Sequence, residues 1–161
     1  MGRYEIIEML NRLNIDYRIE EHPHVETIEE MEKLNLPGIE TVAKNLFLRD
    51  DKKRNYYLIV VRKDKKVNLK ELRKLLESRP LSFASENDLQ SYLGLEKGSV
   101  TPFGLMNDTD CRVCLVLDRD VTEFQSIGVH PNVNTVTVWL SPNDLTAIIK
   151  QHGNQIVSLT I

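Results

Sequence analysis

The chain has 161 residues, of which 41% are hydrophobic and 28% are charged, and its formal net charge is −3 at pH 7. This composition excludes a disordered chain, and no apolar run approaches the roughly 18 residues that a membrane span requires. The amino terminus lacks the apolar core of a signal peptide, and two cysteines cannot build a disulfide framework. We therefore expect one cytoplasmic domain that covers residues 1–161.

The charge is unevenly distributed along the chain. Residues 41–80 carry 13 basic and 5 acidic side chains, an excess of +8, whereas residues 1–40 carry 4 and 10 and residues 81–161 carry 4 and 9. A basic segment between acidic flanks would form a local cationic face for a polyanion. A lysine-rich helix and hairpin that face solvent would give the same count, so charge alone leaves both interpretations open.

The first half of the chain predicts helices and strands in alternation. In chain order they are a helix over Tyr4–Leu13, a strand over Tyr17–Glu20, a helix over Thr27–Leu34 and strands over Thr41–Leu48 and Tyr56–Val61. The second helix begins with a capping-box pattern, in which Thr27 caps the helix and Glu30 reaches back. It is short and acidic, so we expect it to be weakly held.

The second half continues the mixture of helices and strands. We predict a helix capped by Asn68, a strand over Leu81–Ala84, a helix over Glu86–Leu93, an ordered loop over Gly94–Gly104, strands over Arg112–Leu117 and Asn134–Leu140, a helix from Ser141 to Gly153 and a strand over Gln155–Ile161. No strict βαβ repeat is present. The expected fold class is therefore mixed α/β, with one mixed central sheet surrounded by helices.

Two side chains stand out as candidates for chemistry. Lys44 interrupts an apolar, strand-like run, so it faces either solvent at a sheet edge or a cavity in which its charge meets an anion. His130 lies in a Gly-Val-His-Pro sequence, whose glycine and proline restrict the backbone. A histidine held there can act as a base, an acid or a donor, although a solvated loop histidine fits the same pattern.

Metal and redox chemistry find little support in the sequence. Cys111 and Cys114 have a redox spacing but lie in an apolar run, where we expect them to fill a strand with their thiols on opposite faces. His22 and His24 have no third ligand nearby in sequence, which favours an exposed loop over a metal site. We expect neither a metal nor a cofactor.

Five ordered segments resemble the YbaK/ProX family of aminoacyl-tRNA editing domains. They are Val42–Arg49, Leu81–Ser85, Gly98–Gly104, Gly128–Pro131 and Asn134–Val138. Each segment alone is weakly specific, but their order and spacing together match the family over essentially the whole chain.

The resemblance implies a hydrolase that removes a small amino acid, most closely alanine, from mischarged tRNA(Pro). It implies catalytic roles for Lys44 and His130, and it matches His130 to the alanine-specific branch of the family. The implied substrate-binding residues are Asn45, Ser99, Thr101, Pro102, Gly128, Val129 and Pro131. It also implies that the helix over Thr27–Leu34 is mobile and covers the substrate.

The implied partner is the acceptor end of mischarged tRNA(Pro), and prolyl-tRNA synthetase is a further candidate partner. Arg49 and Arg79 flank strands expected to form the pocket, so they are our candidates for tRNA contact. Two alternatives stay open. One is a cysteinyl-tRNA(Pro) deacylase of the same fold, and the other is a non-catalytic tRNA-binding module or amino-acid sensor.

Overall fold

The computed structural model describes all residues from 1 to 161. Six α-helices are present: α1 (Arg3–Arg12), α2 (Ile28–Glu32), α3 (Leu69–Leu76), α4 (Glu86–Leu93), α5 (Arg119–Thr122) and α6 (Pro142–His152), with 3-10 helices over Ile39–Thr41 and Pro102–Asn107. None of these helices combines the length and the apolar character needed to cross a bilayer.

The caps predicted from the sequence define several helix starts. The side chain of Asn68 accepts hydrogen bonds from the backbone nitrogens of Lys70 and Glu71 at the start of α3. Ser141 accepts from Asp144 in the same way at the start of α6. Both caps satisfy backbone donors that the first helical turn leaves unpaired.

Eight strands form two sheets: β1 (Tyr17–Glu21), β2 (Ala43–Asp50), β3 (Tyr56–Arg62), β4 (Leu81–Phe83), β5 (Val113–Asp118), β6 (Ile127–Val129), β7 (Val136–Leu140) and β8 (Ile156–Leu159). The larger sheet has the order β4-β2-β3-β5-β8 and is mixed, with β5 parallel to both β3 and β8. The smaller sheet has the order β1-β7-β6 and is antiparallel.

The mixed α/β class is confirmed, but the expectation of one sheet is corrected to two. β1 and β6 pair with β7 rather than with the larger sheet. Strand partners depend on contacts between residues that are distant in sequence, which local periodicity does not report.

The larger sheet is covered on both faces. Phe47, Leu58 and Leu115 contribute to a large core shared with α1, α4 and α6, whereas Leu48 and Ile59 point to the opposite face, where Leu72 of α3 covers them. Burial on both faces explains why β3 and β5 are almost continuously apolar instead of alternating.

A third, smaller cluster holds α2 against the smaller sheet. It contains Val25, Met31, Val42 and Trp139, all buried. Met31 is the only buried residue of α2 itself. The hydrophobic attachment of this helix is therefore limited to one side chain and its immediate neighbours.

Candidate functional site

A cavity of about 480 Å³ lies where the two sheets meet. Its size falls within the range typical of small-molecule sites. One side of its wall comes from the segment before and within α2, the start of β2 and the end of β4. The other side comes from the first turn of α4, the loop around Gly98, β6 with the residue that follows it, and Thr137 of β7. Among the residues predicted from the sequence, it brings together Lys44, Asn45, Gly128, Val129 and His130.

One backbone contact joins the sheets beside this cavity. Val42 and Gly128 form an isolated parallel bridge. Lys44 lies two residues after Val42, and His130 lies two residues after Gly128. Because the bridge is parallel, both segments run past it in the same direction and bring the two candidate catalytic residues to the same side of it. The bridge thereby explains how residues far apart in sequence come to line one cavity.

Gly128 is required by the close approach of its neighbours. A Cβ atom at this position would lie 2.8 Å from Nε1 of Trp139 and 2.9 Å from Cγ2 of Val42. Both distances are shorter than real Cβ contacts allow, so a larger residue would push the sheets apart.

His130 is held from two sides. Its ring nitrogen Nδ1 lies 2.7 Å from the carbonyl oxygen of Val136, and the hydroxyl of Thr101 donates to the carbonyl oxygen of His130 at 2.6 Å. A carbonyl can only accept, so Nδ1 carries the proton and Nε2 keeps its lone pair. Nε2 has no hydrogen-bond partner in the protein.

The surroundings of His130 also keep the ring neutral. Burial lowers the pKa of His130 to about 4, the hydrogen bond with Val136 opposes this shift, and nearby His22 adds to it. The ring therefore presents an unprotonated nitrogen at neutral pH. A neutral, fixed imidazole on a cavity wall can accept a proton or orient water.

Lys44 and Asn45 occupy adjacent positions on β2. Lys44 is half-buried, lines the cavity and donates a hydrogen bond from its ammonium group to the carbonyl oxygen of Lys65. Asn45 donates from Nδ2 to the carbonyl oxygen of Val100 at 3.2 Å, and its buried Oδ1 has no partner. Both residues line the cavity, although successive side chains of a strand point to opposite faces, so the cation and the unsatisfied acceptor approach it from different sides of β2.

The other predicted substrate-binding residues lie behind the wall. Ser99, Thr101, Pro102 and Pro131 are buried, and none of them lines the cavity. Thr101 acts on the site indirectly, since its hydroxyl holds the backbone of His130. These four residues therefore do not face the cavity directly, and Thr101 supports the site through the backbone of His130.

The two arginines proposed for tRNA contact are both near carboxylates. Arg79 donates from Nε and Nη2 to the two carboxylate oxygens of Asp51, at 2.6 and 3.0 Å. Nε of Arg49 lies 3.7 Å from Asp88. Neither arginine lines the cavity. Lys97, by contrast, is an exposed cavity residue that forms no salt bridge.

Sequence reasoning missed His22 and Thr137. The exposed-loop interpretation of His22 is wrong, because this side chain is only 9% exposed and its Nε2 lies 2.8 Å from the hydroxyl of Thr137. A signal for Thr137 was available, since it is a lone polar residue in the apolar run of β7. His22 gave no local signal, because its partner lies near the other end of the chain.

The two cysteines also differ from expectation. Cys111 lies before β5 with φ of 51°, and its sulfur is 3.6 Å from Nδ1 of His152, so it does not fill the strand. Cys114 does lie in β5, where burial raises the pKa of its thiol to about 11. Neither cysteine lines the cavity, and no cluster of three or more His, Cys, Asp or Glu side chains is arranged to hold a metal ion.

Comparison with known proteins identifies the family. The model of the aminoacyl-tRNA editing domain matches residues 22–148, a range that includes every cavity residue. The chain belongs to the aminoacyl-tRNA editing domain family. The resemblance to YbaK/ProX proteins, and the editing-hydrolase class that it implied, are thereby confirmed.

Relatives cover nearly the full chain. The prolyl-tRNA editing protein ProX of Acetoanaerobium sticklandii is 46% identical over 153 residues, which is 95% of this chain and 93% of that protein. The prolyl-tRNA synthetase associated domain-containing protein 1 of Danio rerio is 41% identical over 97% of this chain and 86% of its own length. A crystal structure of a candidate trans-editing enzyme for prolyl-tRNA synthetase shares the fold, with a TM-score of 0.73 and 19% identity over 99% of this chain and 97% of that one.

Proposed function

We propose that this protein deacylates mischarged tRNA(Pro), with alanyl-tRNA(Pro) as its main substrate. The observation that carries the proposal is the neutral imidazole of His130, which lines the same cavity as Lys44 and Asn45 and whose Nε2 has no partner in the protein. The relatives named for prolyl-tRNA editing, and the match of His130 to the alanine-specific branch, support the choice of tRNA and amino acid.

The reaction needs no covalent enzyme intermediate. An aminoacyl ester is already activated, so water can attack its carbonyl carbon when the reacting groups are held in position. Nε2 of His130 accepts a proton from that water as its oxygen bonds to the carbonyl carbon. The bond from the carbonyl carbon to the tRNA 3′ oxygen then breaks, and Nε2 returns the proton to the 3′ oxygen as it leaves. The only serine that lines the cavity, Ser85, uses its hydroxyl to cap α4, which fits a mechanism without a serine nucleophile.

Lys44 and Asn45 suit the two charged ends of the substrate. The ammonium group of Lys44 would leave the Lys65 carbonyl and bind the terminal phosphate, or offset the negative charge that develops on the carbonyl oxygen. The unsatisfied Oδ1 of Asn45 would accept a hydrogen bond from the ammonium of the amino acid once a small side-chain movement exposes it.

A separate editing site solves a problem of size discrimination. A synthetase pocket that accepts proline rejects smaller alanine poorly, because each missing methylene changes binding by only about 1–3 kcal/mol. A second cavity that admits alanine but excludes proline removes the error after it is made. The apolar residues Val25, Ile28 and Met31 on one wall would set that upper limit.

The direct test is single-turnover deacylation of tRNA(Pro) charged with alanine, cysteine, serine or proline. We expect alanine to be released fastest and proline to be retained. Faster release of cysteine than of alanine would assign the protein to the cysteinyl alternative. Tight binding of all four tRNAs without release of any amino acid would favour the non-catalytic binding module.

A further inference from the structure

Three polar side chains form a continuous hydrogen-bonded chain at the cavity wall, which His130 and Thr137 line. His22 follows β1, Thr137 lies in β7, and His130 follows β6. The hydroxyl oxygen of Thr137 lies 2.8 Å from Nε2 of His22 and 3.4 Å from Nδ1 of His130. The two imidazole rings are 5.8 Å apart between centroids and inclined by 50°. Thr137 is completely buried, so its hydroxyl is shielded from bulk water.

Backbone carbonyls at both ends determine where the protons are. Nδ1 of His22 lies 2.9 Å from the carbonyl oxygen of Pro23, just as Nδ1 of His130 faces that of Val136. Each carbonyl accepts, so each ring in its neutral form carries its proton on Nδ1 and a lone pair on Nε2. The Thr137 hydroxyl must then donate to Nε2 of His22, and its oxygen lone pairs are directed toward the Nδ1–H of His130.

The opposite arrangement of protons is unfavourable. If Thr137 donated to His130, Nδ1 of His130 would hold a lone pair 2.7 Å from the Val136 oxygen, and two acceptors would face each other in a buried site. Nε2 would then carry the proton, and the cavity would lose its base. Because Thr137 has only one hydroxyl proton, the positions of the ring protons on the two histidines depend on each other.

We infer that Thr137 and His22 are positioning residues that hold the His130 ring in the orientation in which Nδ1 faces the Val136 carbonyl and Nε2 stays free to accept a proton. This inference rests on the proposed function for its kinetic consequence. When His130 accepts a proton, the oxygen of Thr137 and the carbonyl of Val136 both face the positive ring as acceptors. His22 acts one step further away, since it takes the hydroxyl proton that would otherwise turn toward His130.

The test uses Thr137→Val, which removes the hydroxyl with little change of shape, and Thr137→Ser, which retains it. Thr135→Val is the matched control, because Thr135 is exposed just before the same strand and its hydroxyl has no hydrogen-bond partner in the protein. We expect Thr137→Val and His22→Ala to lower the saturating single-turnover rate by roughly 10-fold or more, with affinity for charged tRNA unchanged. Thr137→Ser should recover most of the rate, and the control should match wild type.

A second measurement is independent of activity. Nitrogen-15 NMR of the imidazole rings should show His130 protonated on Nδ1 in the wild-type protein, and a more mobile His130 ring in Thr137→Val. Unchanged His130 resonances and a wild-type rate in Thr137→Val would overturn the inference, as would an amino acid trapped covalently on Thr137. If wild type releases no amino acid but the resonances change as expected, the proposed function fails while the positioning role stands.

Discussion

The indole Nε1 of Trp139 donates a hydrogen bond of 2.9 Å to the carbonyl oxygen of Gly38. This bond ties the segment after α2 to β7, two residues from Thr137. Arg18 of β1 lies over the same indole ring, with its guanidinium carbon 3.9 Å from the centroid. One side chain thus connects both β1 and β7 of the smaller sheet to the segment that follows α2.

The attachment of α2 predicts a local opening. Its anchor is Met31, and most of its other side chains are exposed. We expect hydrogen exchange to be faster over residues 27–34 than over Tyr56–Arg62, because few buried contacts must break for α2 to open. Met31→Ala should increase the exchange of residues 27–34 further. Leu75→Ala on the exposed face of α3 is the control, and uniform protection across the chain would contradict a covering role for α2.

Removal of the Lys44 ammonium group should affect catalysis without unfolding the protein. We expect Lys44→Ala to lower the deacylation rate by roughly 10²- to 10³-fold, the range for loss of one preorganised charge in an active site. The fold should persist, since the only hydrogen bond lost is to the Lys65 carbonyl. Circular dichroism and thermal unfolding check the fold, and exposed Lys66→Ala is the control. Near wild-type turnover of Lys44→Ala would mean that the catalytic lysine is wrongly assigned.

The depressed pKa of His130 predicts a specific dependence on pH. Because this pKa falls to about 4, His130 stays neutral in the folded protein well below the usual histidine range near 6.5. Deacylation that depends on neutral His130 should therefore persist at pH 5.5, where an ordinary histidine would be mostly protonated. A rate that halves near pH 6.5 would show instead that the catalytic group is exposed.

The lowered pKa of His130 also predicts how the free energy of unfolding changes with pH. Between about pH 6.5 and 4 the unfolded state binds a proton at His130 that the folded state does not, so acidification in this window favours unfolding. One such proton lowers the free energy of unfolding by about 1.4 kcal/mol per pH unit, and above pH 6.5 this contribution to the slope disappears. Denaturant unfolding of wild type and His130→Gln checks this, and equal pH slopes for the two proteins would contradict it.

Gly128→Ala should destabilise the seam between the sheets. The added methyl group would overlap Trp139 and Val42, and overpacking of this kind costs about 1–3 kcal/mol. Deacylation should fall as well, because His130 follows two residues later. Gly2→Ala is the control, since a Cβ there meets only Glu5, at 3.9 Å. Urea unfolding gives the free energies, and equal values for Gly128→Ala and wild type would show that the seam can adjust.

Substitutions of the two partners in the ion pair between Arg79 and Asp51 should change tRNA affinity in opposite directions. Arg79→Gln should weaken binding and reduce the salt dependence by about one unit of slope, as expected for one lost phosphate contact. Asp51→Asn should strengthen binding at low salt, because Asp51 no longer neutralises the guanidinium. Lys150→Gln at the end of α6 is the control for loss of an exposed charge. If all three variants bind tRNA like wild type, the basic face lies elsewhere.

Local signals in the sequence predicted most of the elements. The Asn68 and Ser141 caps place the starts of α3 and α6 correctly, since capping depends on residues within one turn. Of the loop expected at Gly128–Pro131, the first two residues belong instead to β6, and His130 follows its end. A three-residue strand is determined by its partner β7, and neither periodicity nor turn residues identify that partner.

Only part of the site could be predicted from the sequence, because its remaining contacts join residues that are distant along the chain. Lys44 and His130 contradicted their local context, as a charge in an apolar strand and a histidine in a restricted loop, and both line the cavity. The contacts that give His130 its properties come from Val136, Thr137 and His22. Those contacts depend on how the two sheets meet, which no single segment encodes.

The pairing of β1 with β7 has a consequence for synthesis of the protein on the ribosome. Tyr17 pairs with Leu140, so β1 leaves the ribosome long before its only partner strand exists. During that interval the backbone hydrogen-bonding groups of β1 have no partner strand and the side chain of Ile19 is not covered. Such groups can associate with other unfolded chains during synthesis. The same delay means that His22 meets Thr137 only once most of the chain has been made. A truncated chain would therefore hold the lysine of the site without its ordered base.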